Sequence, residues 1–547
     1  MNSTNSTTSP TSLSTCSRRQ WLAVVAGAAL AAPFAIHAKS PASKRRDFHV
    51  CLAPPLIESE PELLDIVRAA GVETVWLAGF FYGFKPYPNK QIIRAQRLAA
   101  RAGLRAELIT IPLGHPGDSL GSHDGEFPLT PPQRWRLGER FDGKKFSGTS
   151  LHAPATEENA AALRDLRHLG FRQAFVDDDF RLARGPGEIG GCFCAEHRAG
   201  FLCTHGLTDS RWSELLEDVR ARRLSNLLRS WVDWNCDQLT ASFQAQQRAL
   251  GGNLGNMIMY LGAEKAGIRL RDYRGVPVRV GELMFDDASF GCVKGKTDEL
   301  FSVLFHRRFV EPDRAFSETT AYPADQLSAA HLAAKLTVST ITDVPHTMFM
   351  SGLTPFPRAH WASRGPAMRE QARQHELVAG HRLHGPFKHL WGEAQRYVGD
   401  DQPFSLWLAL GVPFEVVEEP ARDGWTFLSD FDVREVASAK SASSGSWFAG
   451  WCIGRTRPAV GGQRLEVVAE TLDALFAFKR RVGAALANVP VVEEDTPVVC
   501  AWYPSARRVL LWNLLPEPRR VTLRFGGRQR PADLDPLGSV VLDDLSR

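Results

Sequence analysis

The chain has 547 residues, 44% of them hydrophobic and 23% charged, with a formal net charge of +4. That length predicts several domains, and the balance is that of an ordinary globular protein. Basic and acidic residues are interspersed, which gives a nucleic-acid partner no support, and no internal segment is apolar for long enough to span a bilayer.

The polar start "MNSTNSTTSPTSLSTC" runs into Arg18 and Arg19, followed by an apolar stretch from Trp21 to Ile36. A paired arginine before a short run rich in Ala and Gly reads as a twin-arginine export signal over residues 1–38, with cleavage after Ala38. The mature protein is then expected in the bacterial periplasm or outside the cell, free of the membrane once the signal is removed. One of the nine cysteines, Cys16, leaves with the signal. The others are scattered apart from Cys192, Cys194 and Cys203, which is not the spacing of a disulfide scaffold.

From residue 47 a β-rich run alternates with an amphipathic helical stretch. The runs are "FHVCLAPP", "ETVWLAGFFYG", "RAELITIPLGH", "RQAFVDDDFRL", "NMIMYLGAE", "VRVGELMFDD", "RAFSETTAYP" and "HTMFMSGLTPFP". Eight such units predict an α/β chain with a (β/α)8 barrel over residues 47–371. Residues 372–492 read as a smaller α/β domain ending in the amphipathic stretch "RLEVVAETLDALFAFKRRVGAAL". Residues 493–547 alternate strands and turns and read as a small β-sandwich.

A barrel of this kind carries its active site where the strands end. The ends of the runs supply His115 at the third, Asp177, Asp178, Asp179 and Arg181 at the fourth, and Tyr260 and Glu264 at the fifth. Glu282, Asp286 and Asp287 follow at the sixth and Glu318 at the seventh. Carboxylates facing each other across a barrel mouth suit glycoside hydrolysis, in which one protonates the leaving oxygen while the other attacks or activates water. Glu318 and one of the three aspartates are the natural pair. Alternation along a strand puts Asp177 and Asp179 on one side and Asp178 on the other.

Cys192-x-Cys194-x-x-His197 has a spacing compatible with zinc and needs a fourth ligand. His152, Cys203 and His115 are the candidates. The phosphate-loop look-alike "GCVKGKT" is one residue short between its glycines, and it reads as a solvated basic loop.

Taken together, the fourth run, the cysteine cluster and the glutamate of "FSETTAYP" resemble glycoside hydrolase clan A, nearest to family 42, the β-galactosidase group. That resemblance implies a catalytic barrel, an α/β trimerisation domain and a C-terminal β domain. It puts Asp179 at the family's acid/base position, Asp178 at the preceding Asn and Glu318 at the nucleophile. It matches Cys192, Cys194 and His197 to zinc ligands and favours His152 as the fourth. It also implies a homotrimer. The chain departs from the family in having Asp179 where the family has Glu.

The expectation is therefore an exported glycosidase acting on an oligo- or polysaccharide, with Asp179 as acid and Glu318 as nucleophile or base. Asp177, Asp178, Arg181, Glu264, Glu282 and His115 are expected to bind sugar or tune charge. A structural zinc is held by Cys192, Cys194, His197 and His152, and no organic cofactor is expected. The alternatives are a non-catalytic carbohydrate-binding barrel and a zinc-dependent hydrolase of another class.

Overall fold

A computed structural model describes residues 45–81, 85–113, 134–149, 151–177, 180–185, 187–258, 261, 264–281, 284–419, 421, 423–438, 451–456 and 465–543. The signal read at residues 1–38 lies outside these, as do His115, Asp178, Asp179, Tyr260 and Glu282.

The first strands in chain order are β1 (Asp47–Leu52), β2 (Thr74–Phe81), β3 (Arg105–Ile111), a hairpin of β4 (Leu137–Glu139) and β5 (Lys145–Thr149), and β6 (Gln173–Val176). They are followed by β7 (Asn253–Ile258), β8 (Val278–Val280), β9 (Ala315–Thr320) and β10 (His346–Met350). Without the hairpin these are the eight strands of a closed barrel in the order β1-β10-β9-β8-β7-β6-β3-β2. Every neighbouring pair is parallel, and Asp47 opposite His346 begins the closing seam. β2 is buried along its whole length, as a strand covered on both faces must be.

The barrel's lumen is sealed midway by Cys51, Trp76, Ile109, Phe175, Phe316 and Met348, one from each of six strands. β7 contributes Gly255 to this layer. A Cβ there would lie 2.3 Å from the Phe175 ring, so the absent side chain makes room for the aromatic plug. The opposite faces of the strands, with Val50, Val75, Leu108 and Val278 among them, share one large core with the surrounding helices.

β11 (Phe387–Leu390), β12 (Phe414–Val417), β13 (Trp425–Leu428), β14 (Trp451–Gly454) and β15 (Leu465–Val467) form a parallel sheet. Its order β12-β11-β13-β14-β15 is the 2-1-3-4-5 order of flavodoxin-like folds. The chain ends in two three-stranded sheets. One holds β16 (Val491–Val492), β19 (Arg519–Phe525) and β20 (Arg528–Leu534). The other holds β17 (Val498–Tyr503), β18 (Arg508–Asn513) and β21 (Ser539–Leu542). Val492, Val498, Leu511, Val521 and Leu523 share the core between them.

One expectation fails outright. "GCVKGKT" is not a solvated loop: Cys292 caps a helix, Val293–Arg307, and Gly295, Lys296 and Thr297 are buried in its first turn. A Cβ on Gly295 would meet the Ser289 carbonyl at 1.8 Å, so the glycine permits a close backbone approach. Lys296 Nζ donates to the Gly291 carbonyl at 2.6 Å and lies 5.5 Å from the Phe290 ring centre. Burial pulls this ammonium down to about 8. A lysine reads as surface in a sequence because its usual solvent is water; here a carbonyl and a ring replace it.

Candidate active site and candidate metal centre

The fourth strand, β6, ends at Val176, and the next residue, Asp177, is anchored by its own N–H donating to the Thr110 carbonyl at 2.6 Å. Glu318 lies on the seventh strand, β9, and both side chains are buried, at 6% and 4% exposure. Between them stands a residue that sequence reading passed over. Arg279, the middle residue of β8, is fully buried, and its Nη2 donates to Asp177 Oδ1 at 2.7 Å and to Glu318 Oε2 at 2.5 Å. Two oxygens on one nitrogen are separated by at most the sum of those distances, about 5.2 Å, so the two carboxylates are held as one unit.

The other oxygen of Glu318 accepts from Thr320 Oγ1 at 2.9 Å, so both carboxylate oxygens are held. Burial alone would lower the pKa of Arg279, but the charges of Asp177 and Glu318 outweigh it and raise it above the usual guanidinium range. One cation between two carboxylates leaves this trio one negative charge in excess when both are ionised. That sign favours a developing positive centre, as in an oxocarbenium-like transition state. A signal for Arg279 was available in "VRV", an arginine flanked by valines in a strand buried on both faces.

Of the residues expected at the mouth, Glu264 is engaged with the second domain. Glu264 sits in a short 3-10 turn after β7, buried, and pairs with Arg396 of the helix Glu393–Val398. The turn packs on that helix rather than over the barrel mouth, so its carboxylate ties the barrel to the second domain. Arg181 is buried and turns onto its own loop, its Nε donating to the Ala183 carbonyl at 3.1 Å. Asp286 and Asp287 act in the backbone around the next helices. Asp286 forms a capping box with Ser289, and Asp287 accepts from the Ser328 N–H at 2.8 Å and faces His331 at 2.7 Å.

Beyond β6 the structure brings His152, Cys192, Cys194 and His197 together, with one ligand atom from each within 4.8 Å of all the others. Cys194 Sγ lies 3.3 Å from His152 Nε2 and 3.3 Å from His197 Nδ1, and Cys192 Sγ lies 3.9 Å from His152 Nε2. The outer nitrogen of His152, Nδ1, faces Glu196 at 3.4 Å, which leaves Nε2 directed at the thiols. Arg136 pairs with the same glutamate and donates to Cys194 Sγ at 3.6 Å, placing a cation beside the sulfur. Burial pushes the Cys192 thiol up to about 12 and pulls His197 down to about 4. Two sulfurs and two nitrogens at this closeness suit a tetrahedral ion of zinc type. Cys203, the other candidate ligand on the described chain, is exposed on the helix Ala195–His205 and stands apart from this set.

The described residues hold a second close cluster, of one carboxylate and two imidazoles, at the opposite end of the barrel. Asp47, His49 and His346 also place ligand atoms within 4.8 Å of one another. They line a pocket of about 310 Å³ with Trp76, Glu107, Arg105 and Asp313.

No protein-family model matches the chain, and no curated protein matches it in sequence. Solved structures do resemble it. A β-galactosidase from Rahnella sp. R3 superposes with a TM-score of 0.58 at 12% identity, covering 91% of this chain and 98% of that one. A catalytic mutant of a GH42 β-galactosidase from G. stearothermophilus gives 0.51 at 10% identity, with the same coverage. At these identities the likeness is one of fold: a (β/α)8 barrel with the domains that follow it, in the architecture of family 42.

Proposed function

We propose that this protein is an exported glycoside hydrolase that cleaves an O-glycosidic bond in an oligo- or polysaccharide, with Glu318 as the nucleophile or base. The observation that carries this reading is the trio at the C-terminal ends of the strands: a buried glutamate with both oxygens held, a second carboxylate on the same nitrogen and one arginine shared between them. Fixed oxygens suit attack at one carbon, because the orientation is set before substrate arrives. The excess negative charge stabilises the positive character that the sugar gains as its bond breaks. A carboxylate that shares a guanidinium is a poor source of protons, which assigns the acid's part to another group. In this reading it is Asp179, two residues beyond Asp177. The family 42 likeness in fold supports a sugar as the substrate class.

A structural zinc held by His152, Cys192, Cys194 and His197 belongs to the same proposal. A closed set of two thiolates and two imidazoles offers no open position for substrate. When bound, the ion supplies cross-linking: it would join the start of the helix Ala195–His205 to the segment that carries His152, and so brace the loop that leaves β6.

The test is hydrolysis of a panel of aryl glycosides and oligosaccharides by the protein without its signal, with Glu318→Gln as the control. Cleavage of one member that Glu318→Gln does not cleave supports the reading and names the sugar. Equal cleavage by both proteins removes Glu318 from the chemistry.

A further inference from the structure

We propose that Arg279 is the positioning residue of this site, coupling the ionisation of Glu318 to that of Asp177 through a single shared nitrogen. The inference rests on the reading of Glu318 as the nucleophile.

Arg279 has no access to water, and its Nε and Nη1 find no hydrogen-bond partner among the described residues. A guanidinium costs several kcal/mol to bury unless its charge is compensated. The compensation here comes from the two carboxylates on Nη2, with Met257 Sδ at 3.2 Å from the same nitrogen. The Phe175 ring of the plug lies 5.7 Å from the guanidinium carbon. Among the described residues, Cys51 of β1 is a further titratable group that bears on the trio. Burial first, and then the carboxylates, push its thiol up, so it stays neutral. The charge balance at Glu318 is therefore set by Arg279 from β8 and Asp177 from β6. Both strands are barrel neighbours of β7, so the coupling runs across one wall of the mouth.

The arrangement predicts opposite effects from its two partners. Removing the cation leaves two carboxylates facing each other, and protonation of Glu318 becomes easier. Removing Asp177's charge leaves Arg279 wholly to Glu318, and protonation becomes harder. A residue that only supports the fold would lower activity in both variants without that opposition.

The experiment is the pH profile of kcat/KM on the glycoside that the wild type cleaves best. In Arg279→Gln the acidic limb should move up by about 1–3 pH units, kcat should fall at least about a hundredfold, and KM should change by less than about threefold. In Asp177→Asn the limb should move down. In Arg279→Lys, which keeps a charge but loses the fork, the limb should stay within about half a unit while kcat falls about tenfold. Limbs that move in the same direction in Arg279→Gln and Asp177→Asn, or that do not move at all, overturn the proposal. If Arg279→Gln does not fold, the downward shift in Asp177→Asn carries the test, and an unmoved or upward limb there overturns the proposal.

A second readout is independent of turnover. The unfolding midpoint at pH 7 should fall in Arg279→Gln and recover in part when Glu318→Gln is added, because only one of the two facing carboxylates then stays charged. Failure to recover overturns the coupling. Recovery in a protein that cleaves nothing on the panel upholds the coupling and removes only the hydrolase reading.

Discussion

The two clusters each hold a pair of histidines, one with two thiols and the other with a carboxylate, and the partners of the histidines' outer nitrogens also set them apart. In His152 the outer nitrogen faces the Glu196 carboxylate, so the inner one is free to meet the thiols. That is how histidine is held at a metal: one nitrogen on the ion, the other donating to a carboxylate or carbonyl. In His49 the pattern is reversed. Trp76 Nε1 donates to His49 Nδ1 at 3.1 Å, which leaves the proton on Nε2, pointing at Asp47 Oδ1 at 3.1 Å. A metal on Nε2 would require a proton on Nδ1, where the indole N–H already points. Asp47 also faces His346 Nδ1 at 2.6 Å, across the seam between the first and last strands. Closeness alone therefore does not make a metal site; the donor atoms and the proton inventory of the surrounding shell do. The lower trio is a hydrogen-bonded clasp on the barrel seam, at the end of the barrel where stability rather than catalysis is usually built.

The largest expected difference between the two barrel ends is in turnover. Glu318→Gln should lose at least about a thousandfold in kcat, whereas His346→Gln, at the lower end, should stay within about threefold on the same glycoside. A comparable loss in both would erase the functional distinction between the ends. Next comes metal content, read by elemental analysis of the folded chain. One zinc per chain is expected in the wild type and in His49→Gln, and none in Cys192→Ser, whose unfolding midpoint should drop by about 10 °C. Two ions per chain would show that the lower trio binds metal after all.

A smaller effect tests the clasp by pH. Burial alone would raise the Asp47 carboxyl, but hydrogen bonds from His346 and His49 outweigh it and hold it well below the usual carboxylate range. Its stabilisation is therefore complete above the unfolded value of about 3.9 and is lost as pH falls below that. Asp47→Asn should lower stability by roughly 2 kcal/mol at pH 7. It should also flatten the fall in unfolding midpoint between about pH 4 and 2. The smallest effect belongs to Cys203→Ser, which should leave zinc content intact and change stability by less than about 0.5 kcal/mol. A lost ion there would mean that the fourth ligand has been misassigned.

Much of the fold was legible because it is written in local period. Each of the eight runs overlaps a barrel strand, and Asp177 does stand where β6 finishes, with Glu318 near the end of β9. The site was legible only in part. Arg279 reads as an ordinary charge until its neighbours are known. Glu264 was expected over the mouth because it follows a strand end, but its turn packs against Arg396, 132 residues away. Lys296 was read as solvated because lysine usually is. All three errors have one cause: a charged side chain takes its role from the group it meets, and that group is distant in sequence.

The sequence by itself determined the alternation of strand and helix, the residues that stand at strand ends and the close set Cys192, Cys194 and His197, since each is a property of a few consecutive residues. Only the tertiary structure decided that His152 joins thiols 40 and 42 positions away, and that one arginine serves carboxylates 102 and 39 positions away. It also decided which nitrogen of His49 holds the proton. For the arginine the reason is barrel closure, which sets the register of all eight strands together and so chooses which inward side chains meet; for His152 it is the packing of the segments outside the barrel strands.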